Sequence, residues 1–248
     1  MDFTKLSSNE LEKILPKDKI LESINIIEKM LELSKNPYIA LSFGKDSLVL
    51  LDLVYKINHN IKCIFLKSEE SFLMYNFEEV INWYLVNKNL NLHIVDTKRL
   101  SETNFDWFEA RHKGNQDFLL DDFFNGYDGF FMGIRIQESK ARKMTLLQSQ
   151  NNKISKFIMQ YKTGKREGMY RCCPLAKWTA DEIMIYLLAK KLKFLDIYNL
   201  GSHIRTTARI TSSSVLNNSL FWIKKNNPQN YNKLCQLLPI LKDAKGFL

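Results

Sequence analysis

Apolar residues at Ile20, Ile24, Ile27, Met30 and Leu31 recur at helical spacing and predict an amphipathic helix over about Ile20–Ser34, which Asn36-Pro37 ends. Tyr38–Ser42 then reads as a short buried strand, and after a polar loop Leu48–Ile57 reads as a helix. Cys63–Leu66 and Leu92–Val95 give a second and a third strand, with helical spacing over Asn76–Leu85 between them. Gly129–Ile134 is a fourth strand leading into a helix from about Glu138. Phe157–Tyr161 suits a fifth strand or a hairpin arm. Thr179–Lys190 is a helix, with Thr179 and Glu182 spaced as a capping box.

Strands alternating with helices predict an α/β fold with a doubly wound, mostly parallel sheet, whose ligand sits at the carboxyl ends of the strands. Residues 1–198 carry this pattern and predict one nucleotide-binding domain preceded by N-terminal helices. From Asn199 onward the strand signals stop, so 199–248 reads as a basic loop and helical C-terminal extension.

A hydrophobic fraction of 45% in 248 residues provides a large core without disulfides. No run approaches the roughly 18 apolar residues of a membrane span, and the N-terminus lacks signal-peptide grammar, so a cytoplasmic protein is expected. Cys63, Cys172, Cys173 and Cys235 contain no C-x-x-C, and the four histidines show no ligand spacing, so no metal site is expected from the protein itself. The net charge of +9 is uneven: residues 1–137 are net negative, whereas 138–177 and 190–248 each carry ten basic against two acidic residues. This asymmetry suits a polyanion-facing surface, or a solvated lysine face. Lys162-Thr-Gly-Lys165-Arg166-Glu-Gly168 reads as an exposed part of it.

Two motifs follow strand ends. Ser42-Phe43-Gly44-Lys45-Asp46-Ser47 places a glycine where backbone must approach a ligand and opens a helix whose free amides attract phosphate. It is not a Walker A loop, because Ile39 and Asp46 stand where that motif needs Gly and Ser or Thr. Gly133-Ile-Arg135-Ile-Gln-Glu138-Ser139-Lys-Ala-Arg142 supplies two guanidiniums able to bind phosphate or sulfate in fork geometry, with Glu138 placed to orient one of them or to favour a helix start.

The first loop resembles the PP-loop of the N-type ATP pyrophosphatases, and within these the phosphoadenosine-phosphosulfate reductase and sulfate adenylyltransferase small-subunit group. The usual glycine at the loop's second position is here Phe43. The second motif resembles the G-x-R-x-x-E-S-x-x-R segment of that group. Glu69–Phe77 is similar to a nucleotide-positioning segment, and Cys172–Ile183 to a P-x-x-x-W-T-x-x-D/E segment. Tyr198 and the pair Arg205-Thr206 resemble a downstream tyrosine and Arg-Thr pair of related proteins.

The resemblance implies an adenine nucleotide α-hydrolase-like fold and an ATP-handling enzyme. ATP's pyrophosphate would lie on the amides of Gly44 to Ser47, with Mg²⁺ present. Lys45, Arg135 and Arg142 would be catalytic, and Ser42, Phe43, Gly44, Asp46, Ser47, Gly133, Glu138 and Ser139 would bind the nucleotide. The C-terminal Glu-Cys-Gly-Leu-His-type motif of thioredoxin-dependent sulfonucleotide reductases is missing, so such reduction is not expected. Three functions stand: adenylyl transfer to a small anion; activation of a nucleic acid for thiolation or a related modification, bound through residues 140–177; and a silent nucleotide-binding module regulating a partner. An acidic protein, a sulfur donor or a GTPase-type subunit are candidate partners.

Overall fold

The computed structural model describes residues 3–67, 69–96, 126–148, 153–164, 166–204, 206, 219–238 and 241. Helices α1 (Ser8–Lys13) and α2 (Lys17–Leu33) lead into β1 (Pro37–Ala40), and α3 (Lys45–Tyr55) follows. Then come β2 (Lys62–Lys67), α4 (Glu69–Met74), α5 (Phe77–Lys88), β3 (Leu92–Asp96) and β4 (Gly129–Met132). A 3-10 turn at Ile136–Glu138 precedes α6 (Lys140–Gln148) and the short strands β5 (Lys153–Ser155), β6 (Ile158–Gln160) and β7 (Tyr170–Cys172). Helix α7 (Ala180–Ala189), a 3-10 turn at Asp196–Leu200, α8 (Ser219–Asn226) and α9 (Pro228–Leu237) complete the described chain.

The sheet runs β3-β2-β1-β4-β7-β6-β5. The first five strands in this order are parallel, and β6 and β5 are antiparallel. The expected doubly wound sheet is therefore present, and Phe157–Tyr161 resolves as the hairpin arm β6. Strand β7 carries no apolar run in Tyr-Arg-Cys, which is why periodicity misses it.

Chain order reverses between β1 and β4, whose register pairs Ile39 with Phe131 and Ala40 with Met132. A crevice opens at such a switch point, because the two following connections leave in opposite directions. The sequence puts its two strongest motifs on those two connections.

Helix α3 is buried on nearly every side, as the run Leu48-Val-Leu-Leu-Asp-Leu-Val-Tyr55 requires, and packs against α2 and α7. Residues on both sides of position 198, including Leu220, Ile223, Leu234 and Leu241, join its hydrophobic cluster.

One carboxylate lies inside this packing. Asp52 is met by Lys56 at 3.0 Å, Lys88 at 3.1 Å and the Tyr186 hydroxyl at 2.8 Å. Burial alone would raise its pKa, but the two lysines and the hydroxyl outweigh it and hold the acid below its ordinary value. A depressed folded pKa stabilises above the unfolded value of about 4 and loses that contribution as pH falls through the folded value. Asp52→Asn should cost about 1–3 kcal/mol at neutral pH, the usual cost of taking a charged acceptor from the buried Tyr186 hydroxyl and two half-exposed lysines. In urea melts the deficit should shrink towards pH 2–3; a constant deficit would show that the charge is not the stabilising element.

Candidate functional site

The loop after β1 begins with Leu41, whose amide still bonds the Ile64 carbonyl of β2 at 2.9 Å. Ser42 turns the chain: its hydroxyl donates to Ser47 Oγ at 3.1 Å, and Ser47 Oγ donates to the Gly44 carbonyl at 2.9 Å. Phe43 sits at φ +52°, a left-handed backbone that costs a bulky residue of order 1–3 kcal/mol. That conformation drives its ring into the core, edge-on to Phe65 at 5.1 Å and beside Tyr84. Burying a whole Phe side chain gains about 1.5–3 kcal/mol and offsets the strain. A phenylalanine can thus stand at the loop's second position because the space behind the loop is apolar.

Gly44 has an ordinary φ of −71°, so its role is close approach rather than backbone freedom. A Cβ there would stand 3.2 Å from the Tyr198 hydroxyl and 3.3 Å from Ser42 Oγ. Gly133, after β4, is tighter still: a Cβ would fall 2.9 Å from both the Asp46 carbonyl carbon and the Ser47 nitrogen. The backbone after β4 therefore lies directly against the first turn of α3, and the two motifs meet.

Charge joins them as well. Lys45 keeps only 2% of its side chain exposed. Its Nζ donates to the Ile204 carbonyl at 2.7 Å, lies 3.4 Å from Asp46 Oδ2 and stands over the Tyr198 ring at 5.1 Å. Desolvation lowers its pKa, opposed by Asp46 and reinforced by Arg135. Asp46 Oδ1 accepts from Arg135 Nε, and Arg135, 3% exposed, also donates to the Gln137 side chain at 3.3 Å and the Trp178 carbonyl at 3.5 Å. Asp46 thus bridges two buried cations.

Glu138 both caps and orients: its Oε1 accepts the Arg135 amide at 2.6 Å, and its Oε2 pairs with Arg142 at 3.0 Å. Arg142 is 39% exposed and is held by Glu138, outside the Lys45–Asp46–Arg135 chain. Ser139 caps α6 through the Arg142 amide at 3.1 Å. The sequence motifs do not reveal the Ile204 and Trp178 carbonyls or Gln137; backbone acceptors leave no residue signature.

Two clefts flank this centre. One, of about 940 Å³, is lined by Phe72, Tyr75, Asn76, Asn82, Asn199 and Trp222 among others. The second, of about 710 Å³, gathers Lys19, Lys140, Lys143 and Lys177 around Gln137 and Trp178, which touch Arg135 from the other side.

The basic residues of 140–177 do not form one face. Loop 161–169 precedes β7 at the amino ends of the parallel strands, where Tyr170 N bonds the Asp128 carbonyl and Arg166 lies over Phe130. Lys162 and Arg166 are therefore at the opposite end of the sheet from Lys45, and Lys165 lies outside the described residues, as does Arg205.

All four cysteines are buried. Burial pushes the Cys63 and Cys173 thiols up to about 12, and Cys172 well above its ordinary value. Among the described residues no group of three or more His, Cys, Asp and Glu is arranged to hold a metal, and no helix is long and apolar enough to cross a membrane.

A helix start and a buried guanidinium thus meet at the switch point of a doubly wound, mostly parallel sheet. The Phosphoadenosine phosphosulfate reductase domain profile matches residues 36–234, and the chain belongs to that family. It is 24% identical over 206 residues to the adenosine 5'-phosphosulfate reductase of Shouchella clausii, covering 79% of this chain and 80% of the relative. The enzyme of that name from Oceanobacillus iheyensis is 24% identical over 188 residues, covering 71% and 72%. In fold the chain is similar to phosphoadenylyl-sulfate reductase from Candida auris, with TM-score 0.53, 16% identity and coverage of 79% and 93%. It is also similar to the U34-tRNA thiolase NcsA from Methanococcus maripaludis, with TM-score 0.50, 18% identity and coverage of 93% and 81%.

Gly133→Ala should destabilise the protein by about 1–3 kcal/mol, because backbone rather than a pliable side chain meets the new methyl. Gly44→Ala, facing side-chain hydroxyls, should cost less. Equal urea midpoints for wild type and Gly133→Ala would contradict the close approach of the two motifs.

Proposed function

We propose that the chain binds ATP at the 42–47 loop and transfers its adenylyl group to an acceptor, releasing pyrophosphate. The acceptor oxygen attacks the α-phosphorus, the bond to the bridging oxygen breaks, and pyrophosphate departs with the electron pair. The observation that supports this most is the meeting of the loop and the Arg135 segment, through Asp46, at the switch point. In this reading the amides of Gly44 to Ser47 and the hydroxyls of Ser42 and Ser47 receive the pyrophosphate part, and the backbone of Phe43 shapes the turn. Lys45 and Arg135 neutralise the charge that develops on the leaving group, and Arg142, swinging from Glu138, reaches an outer phosphate. Gly133 and Ser139 hold the second motif in place.

Asp46 does not suit a Mg²⁺ ligand, because its two oxygens are turned to Lys45 and Arg135. Mg²⁺ belongs in this scheme to the substrate, as the counter-ion of ATP's phosphates. Reduction of a sulfonucleotide, which the names of the bacterial relatives describe for those proteins, needs a nucleophilic thiolate. This sequence has four cysteines, all buried, and the three with raised pKa values stay protonated at neutral pH.

Lys45→Met should weaken ATP binding by about 1.5–3 kcal/mol, the value of a charge-assisted phosphate contact, with little change in unfolding. Calorimetric titration checks this, and ATP–pyrophosphate exchange checks the reaction. Unchanged ATP affinity in a folded variant would remove Lys45 from the site; binding without exchange would favour a silent nucleotide-binding module.

The lysine cleft favours one second reading, in which the acceptor is a nucleic acid. Its four lysines line a cleft whose Gln137 and Trp178 touch Arg135; Lys19 pairs with Glu182 and Lys177 with Glu22, so Lys140 and Lys143 carry this reading. Reversal of Lys140 and Lys143 to Glu should then abolish salt-sensitive oligonucleotide binding, whose log affinity falls with log salt by about 0.7–0.9 per phosphate contact. Reversal of Lys162 and Arg166, at the far end of the sheet, should leave it intact. Fluorescence anisotropy of a labelled single strand reads both; equal losses from the two pairs would mean a diffuse lysine surface.

A further inference from the structure

Gln137 faces two ways. It stands on the 3-10 turn Ile136–Glu138, is exposed, and lines the lysine cleft of about 710 Å³. Its Oε1 accepts two bonds, from Arg135 Nη1 at 3.3 Å and from the backbone N–H of Ala180, the first residue of α7, at 3.0 Å. Both partners are N–H donors, so they fix the carboxamide with its oxygen towards them. Its Nε2 is then turned away from both, and among the described residues it donates to no acceptor. The residues that follow supply more donors to the same cleft. Ser139 Oγ accepts the Arg142 amide at 3.1 Å, which leaves its hydroxyl hydrogen to donate. Lys140 and Lys143, three residues apart on α6, are exposed and form no ion pair among the described residues. Lys19 and Lys177 are held by Glu182 at 2.7 Å and Glu22 at 3.2 Å, and no acidic residue lines the cleft itself.

We propose that the cleft is an oxyanion subsite, in which Gln137 Nε2, the Ser139 hydroxyl and the Lys140 and Lys143 ammoniums hold a sulfate or phosphate group, and that Gln137 ties this subsite to Arg135 through its oxygen. The inference shares its cleft with the nucleic-acid reading and adds to it the group recognised and the residue that recognises it; it does not depend on ATP. Uncommitted donors call for a ligand that only accepts, and an oxyanion is such a group. Lysines by themselves attract any anion without direction. The fixed carboxamide adds a directed pair of N–H donors, and bonds to an ionised acceptor are the strong ones. A bond at Nε2 also polarises the carboxamide, which makes Oε1 a better acceptor for Arg135. One side chain is therefore shared by the anion in the cleft and the buried guanidinium that is joined to the 42–47 loop through Asp46. Gln137 is in this role a binding residue for the oxyanion and a positioning residue for Arg135.

The two ends of Gln137 can be tested separately and without nucleotide. In nitrogen-15 NMR spectra of the intact protein, its side-chain N–H signals are identified by their loss in Gln137→Met. Titration with sodium sulfate should shift them saturably, and sodium chloride at equal ionic strength should not. Reversal of Lys140 and Lys143 to Glu should weaken sulfate by roughly tenfold or more, the value of a hydrogen bond to a charged group. A short single-stranded oligonucleotide is the second probe. A shift with sulfate, with or without the strand, assigns a small oxyanion; a shift with the strand alone assigns a phosphodiester. No shift with either, or an equal shift with chloride, overturns the subsite. Amide hydrogen exchange at Ala180 reads the oxygen end. Gln137→Met should speed it by roughly three- to tenfold, as expected for losing one neutral hydrogen bond. Gln137→Glu, which keeps an accepting oxygen but exchanges the donor pair for a negative charge, should protect Ala180 as wild type does and bind sulfate at least roughly tenfold more weakly by calorimetry. Unchanged exchange in Gln137→Met would overturn the tie to Arg135, and undiminished sulfate binding in Gln137→Glu would overturn the subsite. The ATP reading is left to Lys45→Met, so the two can fail independently.

Discussion

Asp46 stands between two cations that are almost wholly removed from water, Lys45 on its own helix and Arg135 at the end of a neighbouring strand. Leaving any one of the three without the others would strand a buried charge, which typically costs 3–5 kcal/mol. The α3 start and the segment after β4 must therefore stay in contact. Gly133 makes that contact possible by letting backbone meet backbone, and Glu138 fixes the direction from which Arg135 arrives. Lys45, Asp46 and Arg135 together carry two positive charges and one negative, a net positive charge buried beyond the carboxyl ends of β1 and β4. In a low-dielectric site this surplus favours an anion far more than the same charges would on the surface.

The fold was legible because its main elements obey simple periods. The buried strands β1, β2 and β4 read as apolar runs, and the α7 capping box of Thr179 and Glu182 is present as the sequence implies. Strand β7 was hidden, since Tyr-Arg-Cys carries neither alternation nor an apolar run, and its pairing with β4 is set by tertiary contact. The candidate site is legible in its residue types, since the structure brings Lys45, Asp46, Arg135 and Glu138 together. Their connections are not. Whether Asp46 held the loop or a metal could not be read from the chain; the structure gives it to Lys45 and Arg135. Phe43 departs from the loop pattern this sequence resembles, and its ring completes the core behind the loop. The partners of Lys45 and Arg135 that the motifs do not mark are mostly backbone carbonyls, which any residue can supply.

Charge was the least legible property. The excess of basic residues over 138–177 is continuous in sequence but divided in space, because the β6–β7 hairpin carries Lys162 and Arg166 to the amino ends of the strands. Lys140, Lys143 and Lys177 remain beside the crevice with Lys19, which comes from the otherwise acidic first half. The basic residues beside Arg135 are thus these four lysines, two of them paired with acids (Lys19 with Glu182, Lys177 with Glu22), and not the whole basic segment.

The central claim is that Asp46 and Arg135 act as one unit that couples the two motifs. A double-mutant cycle on ATP affinity, with Asp46→Asn, Arg135→Gln and the pair, tests it directly. The account predicts strong non-additivity, with a coupling of about 1–3 kcal/mol because the second substitution finds its partner already lost. Additive losses within about 0.3–0.5 kcal/mol, the scatter expected of independent sites, would contradict it.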